Sequence, residues 1–185
     1  MTLSTEQKFA FWVVAATGLR GWALAEQGQR AEGMAQIRQG LADWQAMGEA
    51  LYQPRFRALL AELYGHVGQT EAGLTVLTEV LADVHNTGLC YYEAELYRLK
   101  GVLHLQHAAE HQEAEESFQQ ALIIARHQEA KSLELRAATS MARLYQRQGK
   151  RTEARVLLAP VYGWFTEGFD TADLQDAKVL LEALA

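Results

Sequence analysis

The chain has 185 residues, of which 49% are hydrophobic and 22% charged, and its formal net charge is −6. That length suits one domain, or one run of repeats, with a substantial core. One cysteine excludes an internal disulfide framework and fits a reducing compartment, while the acidic balance argues against general nucleic-acid binding, which needs clustered Lys and Arg.

Two prolines, few β-branched residues and abundant Ala, Leu, Glu, Gln and Arg favour helix over strand. The first helix is predicted near 4–27. It holds the longest apolar stretch, Phe9 to Leu19, about half of the ~20 residues that a membrane-spanning helix needs. Lys8 and the small residues around Ala23 flank this stretch as in a signal peptide, but Glu6 offsets the lysine and the stretch fits the repeat described below. A cytoplasmic location is expected, with no membrane partner. Helices follow near 30–47, 51–67, 70–86, 90–107, 111–128, 131–148 and 151–167, and a closing helix near 171–184. Pro54 falls in a first helical turn, where its missing N–H costs little. Pro160 lies inside the eighth helix and should kink it or bend its end. Asp170 or Thr171 can cap the closing helix, whose Leu174, Ala177, Leu180, Leu181 and Leu184, with the less well placed Val179, would cover the open end of a stack.

A period of about 40 residues runs through these elements. Similar turns occur at Glu26-Gln27-Gly28-Gln29, Gly65-His66-Val67-Gly68-Gln69 and Gln146-Arg147-Gln148-Gly149-Lys150, and a longer loop near Ala108-Ala109 replaces the remaining one. Gly21, Ala61, Gly101 and Ala142 form one small-residue column; Gly33, Gly73, Ala114 and Ala154 form another. Small residues at both points let two helices approach closely. Ala23, Leu63, Leu103 and Leu144 make an apolar column in the first helices of the units. Ile37, Leu77, Phe118 and Leu158 make one in the second, with Leu41, Leu81, Leu122 and Tyr162 four residues on. The glycine between helices supplies left-handed backbone. The pattern is a helix–turn–helix unit repeated four times.

These small residues, with Tyr64 and Tyr145 three positions beyond the first column, resemble the tetratricopeptide repeat (TPR), although the unit is longer than the usual 34 or so residues. The resemblance implies an all-α, right-handed superhelical solenoid of four repeats, near 4–47, 51–86, 90–128 and 131–167, plus the closing helix, as a single domain. Residues 19–28, 92–101 and 158–171 further resemble the C-terminal repeat region of large bacterial signalling proteins that carry an ATPase module, often fused to a nucleotide cyclase, kinase or DNA-binding domain. The last stretch is the most specific. On that likeness the chain is a fragment or a stand-alone relative, and the ATPase and cyclase chemistry lies outside it. No phosphate-binding loop motif occurs in the chain, so the family's nucleotide site transfers to no residue here.

Other constellations favour bland readings. His104, His107 and His111 have zinc-compatible spacing, but an inter-helix turn falls between them and His104 occupies an internal column. Cys90 has no cysteine partner and no marked catalytic base or orienting group. Glu110, Glu113, Glu115 and Glu116 begin a helix, where negative charge complements the macrodipole. Of Trp12, Trp22, Trp44 and Trp164, most should be core, with Trp22 alone reserved for an exposed groove position. No catalytic residue, cofactor or metal is expected.

In tetratricopeptide repeats the first helices line a concave groove that receives peptides or partner helices. The corresponding positions here are Ala15, Gly18, Trp22 and Glu26; Arg55, Ala58, Glu62 and His66; Glu95, Arg98, Val102 and Gln106; and Arg136, Thr139, Arg143 and Arg147. The resemblance thus implies a protein-binding groove of Trp22, Arg55, Glu62, His66, Glu95, Arg98, Arg136, Arg143 and Arg147. Its basic end suits an acidic partner, because arginine forks pair well with carboxylates. Glu95 and Glu134 stand where short-range pairs would neutralise part of that charge. The Lys and Asn positions of the chaperone-binding carboxylate clamp are not filled. Alternatives are a homodimer formed through apolar surfaces, and a small-ligand or metal sensor.

Overall fold

Helix ends govern this architecture, because each repeat must reverse the chain within a few residues. The computed structural model describes residues 10–107 and 111–185. The start of the expected first helix, the loop at Ala108-Ala109 and Glu110 lie outside the described residues. Among those described are nine α-helices: α1 (Ala10–Glu26), α2 (Arg30–Ala46), α3 (Gln53–His66), α4 (Thr70–Thr87), α5 (Glu93–Gln106), α6 (His111–His127), α7 (Lys131–Arg147), α8 (Arg151–Tyr162) and α9 (Ala172–Ala183). A 3-10 turn at Cys90–Tyr92 precedes α5 and replaces the helical start expected at residue 90. The chain forms two compact units, Met1–Cys90 and Tyr91–Ala185. In the first, α1 packs on α2 and α3 on α4. In the second, α5 packs on α6, α7 on α8, and α9 lies against both α7 and α8.

The three expected turns share one geometry. Gly28, Gly68 and Gly149 have φ of 89°, 75° and 79°. The next residue donates its N–H five positions back, Gln29 to Leu24, Gln69 to Tyr64 and Lys150 to Tyr145, at 2.8–2.9 Å. This bond satisfies a carbonyl that the helix end would otherwise orphan. A second left-handed column joins one helical pair to the next and lies outside the sequence expectations: Gly48, Gly88, Glu129 and Gly168 all have positive φ. Glu129, at 55°, is its one side-chain-bearing member.

Helix α8 ends at Tyr162, earlier than the expected residue 167. Pro160 has no N–H to give within that last turn, and Phe165 then bonds back to Tyr162, so the chain leaves as a turn. Pro54 occupies the first turn of α3. Thr171 stands at the N-cap of α9, but its hydroxyl donates back to the Gly168 carbonyl at 2.8 Å instead of accepting from the helix.

The small-residue columns are contact points. A Cβ on Gly21 would lie 2.7 Å from the Gly33 carbonyl oxygen, and one on Gly33 would collide with the Gly21 carbonyl. In the second unit a Cβ on Gly101 would meet the Phe118 ring at 2.5 Å. Ile37, Leu77, Phe118 and Leu158 are fully buried, and Leu63, Leu103 and Leu144 nearly so; Ala23 is only half-buried. The tryptophans depart from expectation. Trp44 alone is core, packed against Phe56 with ring centroids 4.4 Å apart, whereas Trp12, Trp164 and Trp22 are all exposed. Helical periodicity placed Trp12 and Trp164 on apolar stripes, but among the described residues no neighbouring element covers those stripes in full.

Candidate functional site

In the second unit, a row of charged side chains runs across α5, α7 and α9. At its centre Glu95, on α5, has a side chain only 2% exposed. Arg98, one turn along, grips it with both arms of its fork: Nε donates to Oε2 at 2.9 Å and Nη2 to Oε1 at 2.7 Å. Arg136 of α7 reaches the same Oε1 through Nη2 at 2.9 Å. Arg98 Nη1 lies 3.4 Å from Ser140 Oγ on α7. Burying a carboxylate is costly unless charge and hydrogen bonds compensate, and two guanidiniums do so here.

Helix α9 extends the row. Arg136 Nε lies 4.0 Å from Asp173, and Arg143 is paired with Asp176. Arg147 is exposed one turn beyond, with no ion pair among the described residues. Three of the four groove arginines of this unit therefore already have carboxylate partners. The open basic pocket expected from the sequence is instead a charge-paired ladder, because the closing helix brings Asp173 and Asp176 to α7. Glu134 also differs from expectation. It faces away from this row and takes Arg126 Nε at 2.9 Å and Lys131 Nζ at 2.8 Å. Burial pushes its carboxyl pKa up, but the hydrogen bonds and charges of Lys131 and Arg126 outweigh burial and hold it below its ordinary value of 4.5.

The first-unit candidates are distributed differently. Trp22 is 39% exposed on α1. Arg55 and His66 are exposed at opposite ends of α3, and Glu62 is half-buried between them. The structure brings Glu95, Arg98 and Arg136 into direct contact and sets Arg143 and Arg147 along the same helix; it does not gather Trp22, Arg55 and His66 into a comparable cluster.

Two further features were missed. An open cleft of about 540 Å3 is lined by Arg126, Lys131, Glu134, Val156, Pro160 and Trp164, with Lys131 Nζ 5.7 Å from the centre of the Trp164 ring. The exposure of Val156 and Trp164 could not be read from spacing alone. The tyrosine column, in turn, ties the hairpins together. Arg38 donates to the Tyr64 hydroxyl at 2.5 Å, and Tyr145 donates to Glu115 at 3.3 Å, where burial and the Glu115 charge raise its pKa.

Among the described residues, no group of three or more His, Cys, Asp or Glu is arranged to hold a metal ion. His104 is half-buried within α5, His107 follows its end, and His111 is exposed at the start of α6. Cys90 sits half-buried in the 3-10 turn. No helix among the described residues is long and apolar enough to cross a membrane.

With this geometry established, known proteins place the fold. No protein-family model matches the chain. An uncharacterised protein of Rhizobium meliloti (strain 1021) is 30% identical over 124 residues, a match covering 67% of this chain and 12% of that protein. A crystal structure of nearly identical TPR-like repeats, from a Podosopora anserina protein assigned as a kinesin light chain, matches with a TM-score of 0.68 at 19% identity, covering 92% of this chain and 84% of that one. A point variant of that same protein matches at 0.69 and 18%, with the same coverage. The fold is therefore that of an all-α, TPR-like repeat protein.

Proposed function

We propose that this chain is a non-catalytic protein-recognition module, and that the face of α5, α7 and α9 is its binding surface for an acidic peptide or partner helix. The observation that carries the reading is the fixed arginine row. The buried Glu95 carboxylate orients Arg98 and Arg136, while Arg143 and Arg147 continue the row into solvent. Side chains held by such pairs lose little entropy on binding. A carboxylate from a partner can exchange with Asp176 on the exposed Arg143 and engage Arg147 directly, because surface ion pairs are weak and interchange readily. The TPR-like fold supports protein recognition as the class of function, and likeness to the repeat regions of bacterial signalling ATPases and cyclases supports a cytoplasmic, regulatory setting within such a protein.

The test is affinity capture from lysate with mass-spectrometric identification, comparing wild type with Arg143→Glu/Arg147→Glu. Arg136 is left intact, since a glutamate there would face the buried Glu95 and confound binding with unfolding. A partner retained by wild type and lost from a variant of unchanged circular dichroism supports the reading. Equal capture by both moves recognition off this face.

A further inference from the structure

The second unit carries a cleft that the arginine row does not use. It opens where Glu134 faces away from that row, and it is lined from α6, α7 and α8 and by Trp164 just after α8. Its volume, about 540 Å3, lies in the range that small-molecule sites occupy. All of its lining residues are among those described, and Arg126 stands close to the end of α6, about 22 Å along that helix from His111.

The wall and the end of the cleft differ in chemistry. Val156, Pro160 and Trp164 follow one another at four-residue intervals along α8 and past its end, and they form an apolar wall. Val156 and Trp164 are 69% and 58% exposed, so the protein itself leaves this wall uncovered. Where α7 begins, Arg126 and Lys131 converge on Glu134, whose side chain is only 6% exposed. Arg126 uses Nε alone for that contact, and its terminal nitrogens, Nη1 and Nη2, make no hydrogen bond among the described residues. Lys131 donates one N–H to Glu134 at 2.8 Å and has two more to offer.

These charges select the occupant. Two cations around one buried carboxylate leave a single positive charge at this end. The carboxylate also fixes both cations in advance, so little side-chain entropy is lost on binding. Glu153, the other acid lining the cleft, lies two turns before Pro160 on α8, about 10 Å away along the axis. A second anionic group reaching along the cleft would be repelled there. A cation is disfavoured as well, because Lys131 Nζ already stands 5.7 Å from the centre of the Trp164 ring. The complement is one carboxylate on a flat apolar body.

We infer that this cleft is a small-molecule site for an aromatic monocarboxylate, its ring against Val156, Pro160 and Trp164 and its carboxylate on Arg126 and Lys131. This inference is independent of the arginine row.

A heteronuclear NMR titration of the 185-residue chain with 2-naphthoate, and with 2-naphthamide as its uncharged counterpart, tests it. An acid of this size should bind with a dissociation constant of about 0.1–1 mM, and the amide about tenfold more weakly. Arg126→Gln should weaken naphthoate by about tenfold, since it removes the free end of the fork. Val156→Glu, an exposed change that leaves both Glu134 pairs in place, should weaken it by a similar factor. If Arg126→Gln alters circular dichroism, Val156→Glu carries the test alone. Arg143→Glu/Arg147→Glu, in the arginine row, should bind like wild type. The inference is overturned by an absence of saturable shifts up to about 10 mM naphthoate. It is overturned equally by matching affinities for acid and amide, by a folded cleft variant that binds like wild type, or by loss of binding in the arginine-row variant.

Discussion

The two units share one period and solve its packing differently. In the first, α1 and α2 meet backbone to backbone at Gly21 and Gly33, and a separate aromatic cluster, where Trp44 packs on Phe56 and stacks on Tyr52, lies against Gly18. In the second, Gly101 faces the Phe118 ring, an alanine-rich cluster runs from Ala114 through Ala154 to Leu184, and a buried carboxylate is held between helices. The repeat thus specifies where close approach occurs, and the local residues decide what makes it. Backbone contact tolerates no addition; ring contact tolerates some.

That contrast can be broken by paired substitutions. Gly33→Ala should cost about 3 kcal/mol, since its Cβ meets the carbonyl of Gly21 and the backbone nitrogen of Ala25. Gly101→Ala should cost less, about 1–2 kcal/mol, because its two closest clashes are with the Phe118 ring and the backbone oxygen of Ala114 stands farther off, at 3.0 Å. The gain in helix propensity is common to both and leaves the difference intact. Urea denaturation of the two variants side by side reads it, and equal costs would dissolve the distinction. Ala121→Leu, at a fully buried position in the second unit, should lose about 1–3 kcal/mol by overpacking. A neutral melting result would mean that this helix interface is looser than its burial indicates.

Charge pairing gives a smaller, pH-dependent effect. Glu134 has a native pKa below its unfolded value of 4.5, so its contribution is fully present above that pH and fades as pH falls through the native pKa. Glu134→Gln should cost about 1–2 kcal/mol at neutral pH, a moderate sum because Arg126 and Lys131 can rehydrate. The gap to wild type should narrow below pH 4.5. A gap that stays constant down to about pH 3 would deny that the ionised carboxylate is what stabilises.

The smallest expected effect concerns the turns. Glu129→Gly should stabilise by about 0.5–1 kcal/mol, since a non-glycine residue pays for left-handed backbone that glycine adopts freely. Its counterpart in the first unit, Gly48→Ala, should destabilise by a similar amount. Thermal melts of both would show whether this turn column works alike in the two units.

Periodicity revealed the helices, the first turn column and the small-residue contacts, because those follow from local spacing. It could not reveal Glu129, whose side chain hides a glycine-like conformation, nor the early end of α8, where a proline and the following turn act together. The arginine row was half visible. Arg98 and Glu95 lie one helical turn apart, and their pairing was expected; the bonds from Glu95 to Arg136 and from Arg143 to Asp176 join different helices, and no local pattern encodes them. The exposure of Trp12 and Trp164 was hidden for a related reason. A sequence stripe shows that a face is apolar and does not show what covers it.

Labour is divided along the arginine row: Arg98 and Arg136 hold the fold, while Arg143 and Arg147 remain available to a partner. Urea denaturation of the four single arginine-to-alanine variants tests this division most directly. Arg98→Ala should cost about 3 kcal/mol and Arg136→Ala somewhat less, because each leaves a buried carboxylate short of a partner. Arg143→Ala and Arg147→Ala should each stay within about 0.5 kcal/mol of wild type. If either exposed arginine proved as costly to remove as Arg98, the row would be structural throughout, and the recognition surface would have to lie elsewhere.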